Sequence, residues 1–343
     1  MTRRSLPRTP FSAALLSRWT SYCGVWVLPL VAGLALFIAG AAAAEPVPVI
    51  FDSDMDSDVD DVGALALLHA LADRGEVEIL AVMICSTNPR SAACANRVNH
   101  YYGRGELPVG NIKGEGEGRD SRYARQVAEE FPGTLASGDE APDAVALYRE
   151  ILAARPDRSV TIVTVGYLSN MRNLLRSEPD AHSDLTGVDL VRRKVKVWVC
   201  MGGRFPSGRE HNVLVDAAAS VEAIENWPTP IVFSGWELGN RVMTGARLRE
   251  TLEENPVRRA YQLYNNLTHR QSWDQTAVLY AARGTGDYWD YSPRGRIVLA
   301  ADGANEWVDE ADGPHAYLVE KMPPEEVAAE IEALMIAPPA ARQ

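Results

Sequence analysis

The sequence predicts an α/β fold: a single domain with a mostly parallel central sheet flanked by helices. Three observations lead there. Short apolar runs of strand length recur along the chain, separated by stretches with helical spacing. Several of these runs are apolar throughout rather than alternating, as in strands covered on both faces. No repeat and no linker divides the 343 residues.

The elements follow in order. Residues 46–51 (PVPVIF) read as a short buried strand, and 61–71 as a helix with Leu65, Leu67, Leu68 and Leu71 at its apolar positions. Residues 77–84 (VEILAVMI) form a second strand, 95–102 a helix, and 103–140, rich in glycine and charge, a loop. A helix over 141–154 precedes a strand over 159–165, and a helix over 168–176 precedes a strand over 194–201 (KVKVWVCM) that ends at Gly202-Gly203. A helix over 217–226, a strand over 230–234, helices over 257–267 and 274–282, a strand over 296–300 and a helix over 324–336 complete the chain. Sites in such folds lie at the carboxyl ends of the strands.

Residues 1–44 carry four arginines and no acid. Basic residues come first, and the uncharged apolar stretch 24–44 ends in four alanines, Ala41 to Ala44. This is the pattern of an export signal cleaved near Ala44. An uncleaved anchor is the alternative, because the run is long enough to span a bilayer. The expected mature domain is therefore 45–340, exported to the periplasm or secreted, with no stable membrane association after cleavage. Without residues 1–44 the chain holds 30 basic and 46 acidic residues, a net charge of −16. So acidic a surface repels phosphate backbones and excludes nucleic acid as a partner. Of the cysteines, Cys23 lies in the signal, Cys85 and Cys94 are close enough in sequence to pair in an exported protein, and Cys200 reads as a buried thiol. They are too few and wrongly spaced for zinc.

The chemistry is concentrated after the first strand. Asp52, Asp54, Asp56, Asp58, Asp60 and Asp61 put six carboxylates within ten residues. One or two would be ordinary helix capping. Six at a strand end repel one another unless a cation relieves them, and all-oxygen ligands favour calcium or magnesium. An EF-hand register starting at Asp54 fails, because it needs glycine at Val59 and glutamate at Leu65. A haloacid dehalogenase-type phosphatase also has Asp-x-Asp after a strand, but its late acidic pair finds only Asp302-Gly303.

The cluster resembles the calcium-binding signature of the nucleoside hydrolase family: Asp-x-Asp after the first strand, then Asp60-Asp61 opening a helix. The usual spacing would select Asp54 and Asp56. Anchoring Asp-x-Asp at the strand end selects Asp52 and Asp54 with two inserted residues, and this is the preferred register. Further matches follow in order. Gly166-Tyr167-Leu168-Ser169-Asn170 is similar to the family's Gly-x-Leu-Thr-Asn turn, which implies that the Val165 carbonyl meets calcium. Met201-Gly202-Gly203 precedes Glu210-His211-Asn212, where relatives carry Glu-Phe-Asn, and Ser272-Trp273-Asp274 opens a late helix.

The resemblance implies a Rossmann-like nucleoside hydrolase fold and hydrolysis of a ribonucleoside to base and ribose by a calcium-bound water. It assigns the base to Asp54 and the metal shell to Asp54, Asp61, Val165 and Asp274. Asp60, Glu210 and Asn212 are then ribose ligands, with His211 and Trp273 against sugar or base. It also implies a homo-oligomer, as relatives often form dimers or tetramers. Two departures stand out. The loop between Gly203 and Glu210 is short, and Trp273 occupies the place of a histidine that protonates the leaving base. Indole N–H donates a hydrogen bond but not a proton. His69, His100, His182, His269 and His315 fall in no motif. An exported riboside-binding protein without turnover, or a phosphatase, are the alternative readings.

Overall fold

The computed structural model describes residues 45–340. The expected signal over 1–44 lies outside them. Going down the chain, β1 (Val47–Ser53), α1 (Asp60–Asp73), β2 (Val77–Ile84), α2 (Ser91–Tyr101), β3 (Val109–Asn111), α3 (Ala124–Glu130) and α4 (Ala144–Ala154) make up the first half. There follow β4 (Val160–Thr164), α5 (Ser169–Arg176), α6 (Gly187–Lys194), β5 (Val195–Met201), β6 (Ser207–Arg209), α7 (His211–Val215), α8 (Ala217–Asn226) and β7 (Ile231–Ser234). The last part holds α9 (Trp236–Arg241), β8 (Met243–Thr244), α10 (Pro256–Asn265), β9 (Arg270–Gln271), α11 (Trp273–Arg283), β10 (Trp289–Tyr291), β11 (Gly295–Leu299), β12 (Ala304–Asp309), β13 (His315–Glu320) and α12 (Pro324–Met335).

The central sheet runs β3-β2-β1-β4-β5-β7-β13-β11-β12-β6, with β10 beside β13. From β3 to β13 every pairing is parallel, and β11, β12, β6 and β10 add antiparallel ones. The mostly parallel α/β expectation therefore holds for the part that carries the site. Period-two alternation divides the sheet's side chains between two cores. Val49, Phe51, Val82, Val163 and Val199 face α1, α2, α11 and α12, while Ile50, Met83, Ile162, Trp198 and Phe233 face α4, α5, α6 and α8. Among the described residues no helix is long and apolar enough to cross a membrane.

Three sequence expectations change. Residues 103–140 are not only loop, since they hold β3 and α3. β3 is just three residues long and is defined by pairing with β2, so its own composition gives little signal. The strands β12 and β13 are new, because their mixed polar sequences suit a partly exposed sheet extension rather than a buried run. Cys85 and Cys94 do not pair. Both are free and fully buried, Cys94 inside the helical core and Cys85 at the end of β2 with its thiol directed to Asp52. Cys200 is a buried free thiol, as expected.

Candidate active site

Strand order reverses between β1 and β4: β2 and β3 lie on one side of β1, and β4, β5 and β7 on the other. Ligands in open α/β sheets bind outside the carboxyl ends of strands at such a switch point. There the structure has a cavity of about 320 Å³ lined by Asp54, Asp60, Asp61, Val165, Glu210, His211, Asn212, Trp273 and Asp274. All nine residues singled out from the sequence thus line one cavity. They come from five segments spread over more than 200 positions.

The acidic cluster divides by partner. Asp52, still inside β1, points away from the cavity and accepts from Tyr148 Oη at 2.8 Å and Asn170 Nδ2 at 2.9 Å. Asp56 is held by Tyr167 Oη, Ser86 Oγ and the Arg119 N–H. Asp58 is clasped by the guanidinium of Arg270, whose Nε lies 2.9 and 3.1 Å from the two carboxylate oxygens. Asp54, Asp60 and Asp61 are left facing the cavity. Asp54, not Asp56, lies beside Val165, so the chain follows the strand-anchored register. The two extra residues are absorbed at Met55, which is buried with φ of 52°. A left-handed conformation is costly for a residue that carries a Cβ, and such strain collects at functional sites.

Asp61 is oriented by Ser53 Oγ at 2.5 Å and the Met55 N–H at 3.1 Å, both on the same oxygen. Asp60 accepts the Asp274 N–H at 3.3 Å. Asp274 itself is not a helix cap: its carboxylate accepts no hydrogen bond from the described residues. Burial is the main force on these groups. It raises Asp61 to about 7, and it holds Asp54, Asp60 and Asp274 well above the usual carboxylate range, with neighbouring carboxylates adding to the rise. Oxygens of Asp60, Asp61 and Asp274 lie within 4.8 Å of one another. Three buried, mutually repelling carboxylates with free oxygens form a donor set that fits a hard divalent cation.

On the facing wall, Glu210 accepts the N–H groups of Asn212 and Val213 at 2.9 and 3.1 Å and so caps α7. Burial lifts it to about 7 against those bonds. Asn212 donates Nδ2 to the Val165 carbonyl at 2.8 Å, leaving its amide oxygen for the cavity. His211 is exposed at the mouth, with its ring 6.3 Å from that of Tyr167.

The turn after β4 needs its glycine. A Cβ on Gly166 would sit 2.4 Å from the Asp54 nitrogen and 2.7 Å from Cys85 Sγ, so only glycine lets this turn approach β1.

Two cavity residues with a role escaped the sequence reading, Trp236 and Arg270, while Asp58 was read only as one of the acidic cluster. Trp236 had a signal, since it opens the helix one residue beyond the end of the parallel strand β7. Arg270 had none, because its meaning depends on Asp58, 212 positions away. Trp236 and Trp273 lie with ring centres 6.4 Å apart, and Trp273 donates Nε1 to the Trp236 carbonyl at 2.9 Å. Arg270 sits 5.0 Å above the Trp273 ring. Asp302, the late acid of the phosphatase alternative, pairs with Arg209 on the surface and does not line the cavity.

Comparison with known proteins agrees with this geometry. A plant nucleoside hydrolase superimposes with a TM-score of 0.65 at 18% identity, over 85% of this chain and 100% of its own. The inosine-uridine preferring nucleoside hydrolase of Bacillus anthracis gives 0.62 at 17%, over 84% and 98%. The purine-preferring ribonucleoside hydrolase of Gardnerella vaginalis gives 0.62 at 16%, over 84% and 99%. At these identities the likeness speaks for the fold. No curated protein sequence matches the chain. The family model for inosine-uridine preferring nucleoside hydrolases matches residues 49–325, a span that begins in β1 and contains every cavity residue named above, and on that match the chain belongs to the nucleoside hydrolase family, hydrolases of N-glycosyl compounds.

Proposed function

We propose that the protein is an exported, calcium-dependent hydrolase of ribonucleosides, cutting the bond between C1′ and the base. The observation that carries this reading is the convergence of Asp54, Asp60, Asp61 and Asp274 on one cavity, opposite Glu210 and Asn212. Asp54, Asp61, Asp274 and the Val165 carbonyl would hold the cation, and Asp60, whose carboxylate oxygen lies within 4.8 Å of those of Asp61 and Asp274, is placed to join them rather than to serve the ribose alone. Bound there, a calcium ion would lower the pKa of a water and orient it.

The chain's own groups account for the remaining needs of an oxocarbenium-like transition state. Asp54, buried in the cavity beside the cation site, takes the proton of the attacking water. Glu210 and the Asn212 amide oxygen accept from the ribose hydroxyls and fix the sugar against the acidic wall. Trp236 and Trp273 offer flat apolar faces to the base. The carboxylates at its floor, Asp54, Asp60, Asp61 and Asp274, are only 2–3% exposed.

The test is base release from a panel of purine and pyrimidine ribonucleosides, with added calcium and then with chelator, alongside Asp54→Asn. Turnover that needs calcium and falls by about 100-fold or more in Asp54→Asn is the expected result. Binding of nucleoside with no base released would favour a riboside-binding protein.

A further inference from the structure

The sequence puts Trp273 where a proton donor to the leaving base was expected, and an indole cannot supply that proton. The structure offers a different group. Arg270 lines the cavity next to Trp273 and is held there from below and from the side. Its Nε and Nη2 fork onto Asp58, and Nη1 donates to Gln271 Oε1 at 2.8 Å. The guanidinium lies 5.0 Å from the Trp273 ring centre and 5.7 Å from that of Tyr264. The backbone beneath it is fixed as well, since Arg270 pairs with Thr244 in a two-stranded ladder. Its side chain is still 27% exposed. The contacts with Asp58 and Gln271 leave two of its five N–H donors without a partner among the described residues.

We propose that Arg270 is the leaving-group residue: its free N–H donors bind the departing base and stabilise the negative charge that develops on it. This rests on the nucleoside hydrolase reading above. In the step, the C1′–N bond breaks with its electron pair passing to the base, and the water oxygen bonds to C1′ while its proton goes to Asp54. The base leaves as an anion paired with Arg270 and takes its proton from solvent on release, and Asp54 returns its own to solvent. Arg270 keeps its protons throughout, as a guanidinium does. Asp58 is the positioning residue, because its carboxylate turns the guanidinium edge and prevents it from swinging to solvent. A fixed cation aimed at developing charge needs no reorganisation in the transition state.

The experiment compares two leaving groups on the full chain with calcium: inosine, whose base is a poor leaving group, and p-nitrophenyl riboside, whose phenolate leaves without help. Arg270→Gln and Asp58→Asn are measured on both, with thermal melting to verify folding. The expected result is a loss of about 100-fold or more in kcat on inosine for Arg270→Gln with less than about 3-fold on the aryl riboside, and a smaller loss of the same selectivity for Asp58→Asn. Arg270→Lys keeps the charge and is expected to restore part of the inosine rate. Equal losses on both substrates, or no loss on inosine, overturn the proposal. So does a leaving-group-selective loss found in His211→Gln but not in Arg270→Gln. A wild type that hydrolyses neither substrate overturns the nucleoside hydrolase reading itself, and the proposal with it.

Discussion

The side-chain amide of Asn212 donates to the main-chain oxygen of Val165 across 2.8 Å, joining α7 to the end of β4 inside the cavity. The same nitrogen lies 3.4 Å from the Met201 carbonyl, so two strand ends meet at one donor. Asn212→Asp keeps the shape and replaces that donor with a charge facing two carbonyl oxygens. An unsatisfied buried polar group costs about 1–3 kcal/mol, and a charged one more. The expected outcome is a fall of about 10- to 100-fold in kcat/KM for nucleosides, with the circular dichroism spectrum retained. Steady-state base release measures it, and an unchanged rate would show that the contact holds nothing in place.

Gly166→Ala tests how closely the turn after β4 must approach β1. The added methyl has no room beside the Asp54 nitrogen, and both neighbours are backbone or buried. Overpacking of this kind typically costs about 1–3 kcal/mol. The melting temperature should drop and turnover should fall further than stability alone explains, because the displaced atom belongs to Asp54, the residue we propose takes the water proton. Equal losses in Gly166→Ala and in a distant core variant of matched stability would argue against that link.

The two tryptophans should separate purine from pyrimidine substrates. A base stacked on an aromatic side chain gains about 1–3 kcal/mol, more for the larger ring. Trp236→Ala and Trp273→Ala are each expected to raise KM for inosine by about 5-fold or more and for uridine by less. Inhibition constants for free bases give an independent reading. If both variants shift all substrates equally, the rings shape the cavity rather than stack on the base.

His69 predicts an acid limb in stability that has nothing to do with the active site. It is fully buried in α1, stacked 4.6 Å from Tyr102, and within 2.9 Å of Asn99 Oδ1. Burial lowers its pKa to about 3, so the folded protein keeps it neutral where the unfolded chain would protonate it. The stabilisation is full above the unfolded value of about 6.5 and is lost as pH falls towards 3, at about 1.4 kcal/mol per pH unit. Urea melts of wild type and His69→Gln between about pH 4 and 7 should diverge in slope by roughly one proton. Parallel curves would mean that His69 is protonated in the fold.

How much of this could be read beforehand differs by feature. The parallel half of the sheet was legible because strands such as 77–84 and 194–201 are covered on both faces and read as apolar runs. The extension through β12 and β13 was not, since many of its side chains face solvent and its links to β6 and β7 are non-local. In the site, the motif residues stood out because each follows a strand end or opens a helix. The sorting of the acidic cluster did not. Asp52, Asp56 and Asp58 look like Asp54 in sequence, and only their partners Tyr148, Tyr167 and Arg270 distinguish them. The Cys85–Cys94 pairing failed for the same reason: sequence separation says nothing about two thiols that face different neighbours.

Asp60 and Asp274 touch although 214 positions separate them, so the carboxylate site draws together the start of one helix and the start of another from nearly opposite ends of the domain. A divalent ion seated between them would act as a removable clasp on the chain as well as a reagent. Resistance to unfolding would then track the free ion in the surroundings, gaining about 2.7 kcal/mol once that concentration reaches a hundred times the dissociation constant. Chelation would silence the protein and shorten its lifetime together, since the ion would add its hold to the packing of α1 against α11.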